Sequence, residues 1–216
     1  LRPGTIEQNG KYIGRFGKKA AVYDLMQQTA NAYNQDMGVN SSYEHYDTYT
    51  YQEVDPEVSN QTVLDVIFYL KTLKAPIQRN PNDADVNAGK QIFINISCGK
   101  CHTPTLATGI SSIAALSNKT FHSYTDMLLH DMGSGLDDGY TEGSATTPEW
   151  RTPPLWGLGL SKNSQGGQYF LLHDGRARSI EEAILLHGGE AQQSKNSFQQ
   201  LSPTDKVKII KFLESL

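Results

Sequence analysis

A chain of 216 residues with 38% hydrophobic residues can bury the core of one large domain or of two small ones. Its net charge of −4, without a long run of basic residues, excludes the usual pattern of a nucleic-acid-binding protein. The sequence has no apolar stretch of about eighteen residues that would span a membrane, and Leu1–Gly10 lacks the charged and apolar regions of a signal peptide.

The first third of the chain is predicted to contain two helices. Leu1–Lys19 is rich in glycine and basic residues and is predicted to be loop, and the first helix is predicted over Ala20–Met37. The polar, tyrosine-rich segment Asn40–Asp55 is typical of irregular structure. Ser59 is a suitable N-cap for the second helix, whose apolar residues recur at helical spacing until Ala75-Pro76 ends it.

A second unit is predicted to begin after the polar linker Asn80–Asp83. A helix is expected over Ala84–Ile96, a loop over Thr103–Thr120 and a short helix over Tyr124–His130. The segment Met132–Gly167 is rich in Gly, Pro and Thr, and so long a stretch without regular structure is usually functional or disordered. Because this segment contains two tryptophans, we expect it to wrap around a large apolar object.

Two more helices are predicted near the C-terminus. Ser179 is the expected N-cap of a helix over Ile180–His187. The helix dipole favours the two glutamates in its first turn, and Gly188-Gly189 is expected to end it. Ser202-Pro203 is expected to open the last helix, which continues to Leu216.

A weak internal repeat links two of these helices. The segment Val58–Leu73 aligns without gaps on Leu201–Leu216, with serine on serine and with apolar residues on apolar residues. If the repeat reflects the architecture, residues 1–79 are the C-terminal part of a first lobe and residues 80–216 form a complete second lobe.

The second lobe contains the most informative motif, Cys98-Gly-Lys-Cys101-His102, which includes the only two cysteines of the chain. Two thiols at this spacing add to the vinyl groups of a haem, and the next side chain, an imidazole, reaches the iron. The motif therefore predicts one covalently bound haem c. Since such attachment generally occurs outside the cytoplasm, we expect a periplasmic or otherwise extracytoplasmic protein.

Three other interpretations of the motif remain open. Cys98 and Cys101 could form a dithiol redox centre. Such a motif usually follows a strand, whereas the segment before Cys98 is predicted to be a helix. A structural zinc site would need four ligands, and the adjacent Cys101 and His102 cannot easily bind one tetrahedral ion. A disulfide between the cysteines would close too short a loop to stabilise the chain much.

Beyond single motifs, the chain resembles the bacterial di-haem oxidoreductase family, often labelled "thiol oxidoreductase", which is distantly similar to the di-haem cytochrome c peroxidases. The resemblance covers nearly the whole chain and rests on the segments Gly14–Ala20, Cys98–Pro104, Tyr124–Gly133, Trp150–Gly157 and His173–Ala191. It implies a mainly α fold with cytochrome c-like helical lobes wrapped by long irregular loops. Family members have a second Cys-x-x-Cys-His in an N-terminal region, which this sequence lacks, so the chain looks like the C-terminal part of such a protein.

The iron ligands are predicted from the motif and from the resemblance. His102 is the first axial ligand by the logic of the motif. The relatives place the second after a helix that follows a His-x-Gly turn, here His173-Asp-Gly175, and this rule selects His187. Met132, in a glycine-flanked loop, is the alternative ligand, whereas His130 and His173 are expected to be hydrogen-bonded structural residues. Two imidazoles would give a low-spin haem of lower potential than a His–Met pair.

Further candidates surround the haem. Arg151, Arg176 and Arg178 are expected to pair with the haem propionates, since a guanidinium fork matches a carboxylate, although each could equally be a solvated surface residue. Trp150 or Trp156 could line the haem or relay electrons, but packing in the core is the simpler expectation.

These residues lead to several hypotheses on function. The first is an electron-transfer module of a periplasmic di-haem oxidoreductase that works with a redox partner protein or a second haem domain. A peroxidase-like haem enzyme is the alternative and would need an open iron site with an acid–base group. The remaining hypotheses are a dithiol redox protein that uses Cys98 and Cys101, and a haem-free scaffold. The sequence identifies no catalytic residue, and no nucleic acid or membrane span is expected.

Overall fold

The computed structural model describes residues 7–216, and over this range the protein is mainly α-helical with long irregular loops, as predicted. Its α-helices are α1 (Leu25–Asn31), α2 (Asn60–Thr72), α3 (Ala84–Asn95), α4 (Leu158–Ser164), α5 (Ile180–Leu186), α6 (Gln192–Gln199) and α7 (Pro203–Ser215). Short antiparallel strand pairs join β1 (Glu7–Gln8) to β2 (Lys11–Tyr12), β3 (Leu106–Ala107) to β4 (Thr120–Phe121) and β5 (Leu129–Asp131) to β6 (Glu149–Arg151). The loop predicted over Leu1–Lys19 therefore contains a small hairpin, and residues 1–6 lie outside the described residues.

The chain divides into two compact units, and the boundary falls between Lys74 and Ala75. In the first unit, the Asp24 carboxylate caps α1 by accepting a hydrogen bond from the Gln27 amide at 2.7 Å. The helix continues as a π-helical turn, Ala32–Asp36. α2 begins as predicted after Ser59, contacts α1 and buries Val63 and Ile67.

The second unit is built on the crossing of α3 and α7. Gly89 lies at the closest approach of the two helices, where an added Cβ would be only 2.1 Å from the carbonyl oxygen of Lys208. Around this crossing, the buried core includes Val86 and Phe93 from α3 and Ile209 and Phe212 from α7. The start of α3 is attached to α7 by an ion pair between Asp83 and Lys211 at 2.9 Å. The helix that leads to the cysteine motif therefore has a fixed position.

The helix predicted over Tyr124–His130 is wrong, because this segment is irregular until β5 begins at Leu129. Tyr124 has a φ of 54°, which is incompatible with a right-handed helix, and the Thr125 amide donates to the carbonyl of Thr103 at 3.1 Å. Tertiary hydrogen bonds thus replace the local hydrogen bonds of a helix. The segment Met132–Gly167 is more regular than predicted, since it contains β6 and α4.

Helix α6 was not predicted, because its residues are polar apart from Phe198 and give no apolar stripe. No helix within residues 7–216 is long and apolar enough to cross a lipid bilayer.

Candidate haem site

The cysteine motif lies directly after α3, in a tight turn. Ser97 takes a left-handed conformation with a φ of 69°, and Cys98–Lys100 form one turn of 3₁₀ helix. The His102 amide closes the turn by donating to the Cys98 carbonyl at 3.0 Å. Because α3 is held by the core, both cysteines and His102 occupy defined positions at its end.

The two cysteines are not joined in a disulfide, and their thiols are poorly suited to redox cycling. Burial raises the pKa of Cys98 to about 12. The pKa of Cys101 is also raised, first by burial and then by the carboxylates of Asp126 and Glu190. Reactive dithiols have lowered pKa values, since the thiolate is the nucleophile. The raised pKa values of both thiols therefore do not favour a dithiol redox centre.

The imidazole of His102 is oriented by a backbone carbonyl. Its Nδ1 donates to the Tyr124 carbonyl oxygen at 3.0 Å. The position of this carbonyl is held by the next residue, Thr125. Its amide donates to the Thr103 carbonyl, and its hydroxyl donates to the Thr152 carbonyl at 2.6 Å. Because a carbonyl only accepts, the proton of the neutral ring lies on Nδ1, and Nε2 has a free lone pair.

His187 has the same arrangement at a different place in the chain. It follows the last residue of α5, and its Nδ1 donates to the Ala183 carbonyl oxygen at 2.6 Å. The neutral ring therefore also has its lone pair on Nε2. A histidine that binds a metal through one nitrogen generally donates a hydrogen bond from the other, as both rings do.

The two histidines lie close enough to affect each other electrostatically. Burial, and then the positive charge that His187 would have, lower the pKa of His102 to about 4. Burial also lowers the pKa of His187. Both rings are thus neutral at pH 7 and able to bind a metal. Each residue is partly buried by surface area, and desolvation is the largest cause of its lowered pKa.

The loop that carries His187 packs tightly on β5 and on the residues after it. An added Cβ on Gly188 would be 2.8 Å from the Met132 carbonyl oxygen, and one on Gly189 would be 2.2 Å from that of Asp131. The structure thus places the two predicted alternatives for the second ligand, His187 and Met132, in adjoining segments. The Met132 side chain is partly buried.

Sequence reasoning missed a charged cluster beside Cys101. His130, on β5, bonds through Nε2 to Asp126 at 2.9 Å and through Nδ1 to Glu190 at 2.8 Å. Burial lowers the pKa of His130, but its hydrogen bonds to the two carboxylates outweigh burial, and the pKa is raised. The Cys101 sulfur lies 3.8 Å from its Nδ1.

The ligand atoms of Cys101, Asp126 and His130 lie within 4.8 Å of one another, which is compact enough for a metal ion. Sequence reasoning missed the contacts of His130 with Cys101 and Glu190 because these residues are 29 and 60 positions away along the chain.

The three predicted arginines have different surroundings. Arg151 ends β6, opposite Leu129 of β5, and burial lowers its pKa. Arg176 bonds to Asp174 at 2.5 Å and to the carbonyl of Gly135 at 2.9 Å. The Arg178 guanidinium lies 4.1 Å from the centroid of the Phe170 ring. Of the three, Arg151 lies on the strand pair that carries His130.

The two tryptophans also have different neighbours. Trp150, opposite His130 in the strand pair, stacks on the imidazole of His173 with ring centroids 3.8 Å apart, and its indole N–H donates to the Leu136 carbonyl. Trp156 contacts Phe121 instead.

The donor set fits a haem c. Two sulfurs, Cys98 and Cys101, stand at the attachment spacing, and two neutral imidazoles, His102 and His187, present unprotonated Nε2 atoms. The other nitrogen of each ring donates to a backbone carbonyl, as the second nitrogen of a metal-binding histidine commonly does.

Comparisons with known proteins give a family and a weak structural likeness. The model of the family described as "Di-haem oxidoreductase, putative peroxidase" matches residues 6–216. A solved structure of hydrazine synthase from Kuenenia stuttgartiensis, pressurised with xenon, is similar with a TM-score of 0.45 at 16% identity. The similarity covers 79% of this chain and 58% of that one. No curated protein matches the sequence.

Proposed function

This chain belongs to the di-haem oxidoreductase family, and we propose that within it the chain is a c-type haem module that transfers electrons. In this proposal, Cys98 and Cys101 would hold one haem covalently, and His102 and His187 would bind its iron. When bound, the haem supplies a one-electron iron couple.

The observation that carries the proposal is the matched state of the two histidines. Each donates its Nδ1 proton to a backbone carbonyl, each has a lowered pKa, and each therefore offers a lone pair at pH 7. The carbonyls of Tyr124 and Ala183 orient the rings, and Arg151 is our candidate to pair with a propionate. Two imidazoles would fill both axial positions, so that peroxide would find no open site.

A peroxidase-like function is the second candidate, and it is favoured by the description of the family. It requires an open axial position and an acid–base group. Both nitrogens of His130, the charged histidine nearest the motif, are already bonded to carboxylates. We therefore place electron transfer first and expect a redox partner protein or a second haem domain to exchange electrons with the chain. Covalent attachment implies a periplasmic or otherwise extracytoplasmic location.

The test combines intact mass with the visible spectrum of the chain produced in a host that attaches haem c. We expect the mass of one haem to persist after denaturation and a low-spin spectrum that peroxide does not change. His187→Ala should convert the spectrum to high-spin, because an axial ligand is lost, whereas Met132→Ala should leave it low-spin.

The opposite result for these two variants would identify Met132 as the ligand. A high-spin wild-type spectrum that shifts with peroxide would support the peroxidase. A chain without covalent haem and with two titratable thiols would contradict the whole proposal.

A further inference from the structure

The two cysteines of the motif have different surroundings. Cys98 packs against the buried core, and burial raises its pKa to about 12. Cys101 instead lies beside charged side chains, and its sulfur is 3.8 Å from Nδ1 of His130. The carboxylates of Asp126 and Glu190 are close enough to add to the effect of burial in raising the pKa of Cys101. Cys101 is thus the sulfur that has possible metal ligands around it.

The Nδ1 atom of His130 lies close to donor atoms of two other kinds. The Cys101 sulfur is 3.8 Å from it, and Oε2 of Glu190 is 2.8 Å from it. Two ligand atoms on one tetrahedral zinc ion are about 3.5 Å apart when they are sulfur and nitrogen, and about 3.3 Å apart when they are nitrogen and oxygen. Side-chain movements of roughly half an ångström would therefore let one ion lie between these atoms.

The other nitrogen of His130 has the partner that a metal-binding histidine commonly has. Nε2 bonds to Oδ2 of Asp126 at 2.9 Å, and such a carboxylate fixes the orientation of a ligating ring. The side chains of Asp126 and His130 are only 14% and 16% exposed. Glu190 is 54% exposed, and its Oε1 accepts from the Asp131 amide at 3.0 Å. The ring therefore has a defined position, and an ion can reach it from the side of Glu190.

The charges of the four side chains also suit a divalent ion. Asp126 and Glu190 contribute two negative charges, and His130, which bonds to a carboxylate through each nitrogen, contributes one positive charge. A divalent ion that displaces the thiol proton of Cys101 and the Nδ1 proton of His130 releases two protons to the solvent. The net charge of the site stays the same, so the ion adds no uncompensated charge.

We propose that the haem-free chain binds a divalent transition-metal ion of the zinc type through Cys101, His130 and Glu190, with Asp126 as the hydrogen-bond partner of the His130 ring. Sulfur and imidazole ligands favour such an ion over magnesium or calcium. Haem attachment, which rests on the proposed function, would convert the Cys101 sulfur to a thioether and remove the thiolate. The metal ion and the haem therefore exclude each other at Cys101.

Cobalt(II) binding to the full chain, produced without haem attachment and kept reduced, tests this site. Co²⁺ reports its own ligands, because thiolate ligation gives a charge-transfer band in the near ultraviolet and four-coordinate geometry gives intense visible bands. We expect both sets of bands to saturate at one Co²⁺ per chain. Added Zn²⁺ should displace the cobalt and remove the bands.

Variants identify the ligands. Cys101→Ser should remove the charge-transfer band, whereas Cys98→Ser should retain it, which distinguishes this site from chelation by both cysteines of the motif. Asp126→Asn should weaken Co²⁺ binding about 10–100-fold, as the loss of a partner of a ligating histidine does. Glu190→Gln should also weaken binding. Glu181→Gln is its matched control, since Glu181 is an exposed glutamate of α5, and it should leave the affinity unchanged.

Two results would overturn the proposal. One is the absence of a charge-transfer band with Co²⁺ at millimolar concentration. The other is a band that is lost in Cys98→Ser but binds Co²⁺ with unchanged affinity in Asp126→Asn and Glu190→Gln, since the motif alone would then hold the ion.

The haem-loaded chain separates this proposal from the proposed function. It should show no cobalt–thiolate band, because its Cys101 sulfur would be a thioether. If the chain cannot be loaded with covalent haem but the haem-free chain shows the band and its variant pattern, the proposed function fails and the metal site stands.

Discussion

At the scale of single residues, the site is defined by two backbone carbonyls. Neutral histidine can hold its proton on either nitrogen, and the hydrogen bond made by one nitrogen decides what the other can do. The carbonyls of Tyr124 and Ala183 take the Nδ1 protons of His102 and His187. Both Nε2 atoms are therefore left as acceptors.

Burial of the neutral His102 makes the stability of the haem-free chain depend on pH. The pKa is lowered from 6.5 to about 4 in the folded state, so the unfolded chain binds more protons between these values. Acidification through this window should therefore destabilise the fold, and His102 alone should cost about 3 kcal/mol between pH 7 and pH 4. The lowered pKa of His187 acts in the same direction.

Urea unfolding at several pH values measures this contribution. Carboxylates also titrate in this window, so the free energy of unfolding of wild type must be compared with that of His102→Gln at each pH. The free energy of unfolding should change less with pH in His102→Gln than in wild type. A His102→Gln variant with the full wild-type slope would show that His102 is not buried in the neutral form.

At the scale of elements, the crossing of α3 and α7 positions the motif. An alanine at position 89 would place its Cβ 2.1 Å from the Lys208 carbonyl oxygen and 2.8 Å from the Cβ of Phe212, so the helices would have to separate. Overpacking of this kind typically costs about 1–3 kcal/mol, which exceeds the gain of about 1 kcal/mol in helix propensity.

Gly89→Ala should therefore lower the melting temperature and, because α3 leads into Cys98, reduce the fraction of chains with attached haem. Gly109→Ala is the matched control, since an added Cβ at Gly109 meets no atom within 4 Å. Equal melting temperatures for the two variants would contradict the close approach of the helices.

The helices that the sequence predicts well are those with both an apolar stripe and a capping side chain. α2, α5 and α7 begin after Ser59, Ser179 and Ser202 as predicted, because a serine that accepts from the third amide of the helix is a purely local signal. The segment 124–130 was predicted wrongly because its hydrogen-bonding partners, Thr103 and Thr152, are distant along the chain.

At the scale of the whole molecule, the family has two haems and this chain has one attachment motif. All the residues that we propose as haem attachment points and iron ligands, Cys98, Cys101, His102 and His187, belong to the second of its two units. The first unit contributes α2, a helix with the same length and the same kind of serine cap as α7.

A redox titration of the haem-loaded chain, followed by its visible spectrum, should accordingly fit a single one-electron couple. The potential should be low for a haem c, because two imidazoles do not raise it as a methionine ligand does. Cys98→Ser combined with Cys101→Ser should remove the signal. Two separate couples in the wild-type chain would show a second haem and would refute the assignment of one haem to this chain.

The sequence by itself predicted the haem attachment that we propose, because two thiols and an imidazole within five residues are a local pattern. It also determined the class of fold, since apolar stripes and serine caps are local. Only the tertiary structure decided which nitrogen of each histidine is free, because the deciding carbonyl for His102 comes from Tyr124 and a backbone carbonyl has no signature in the sequence. The tertiary structure also brings His187 near His102. It buries the apolar residues of α7 and leaves several of those of α2 exposed, because burial depends on which elements pack together and not on the residues of one helix.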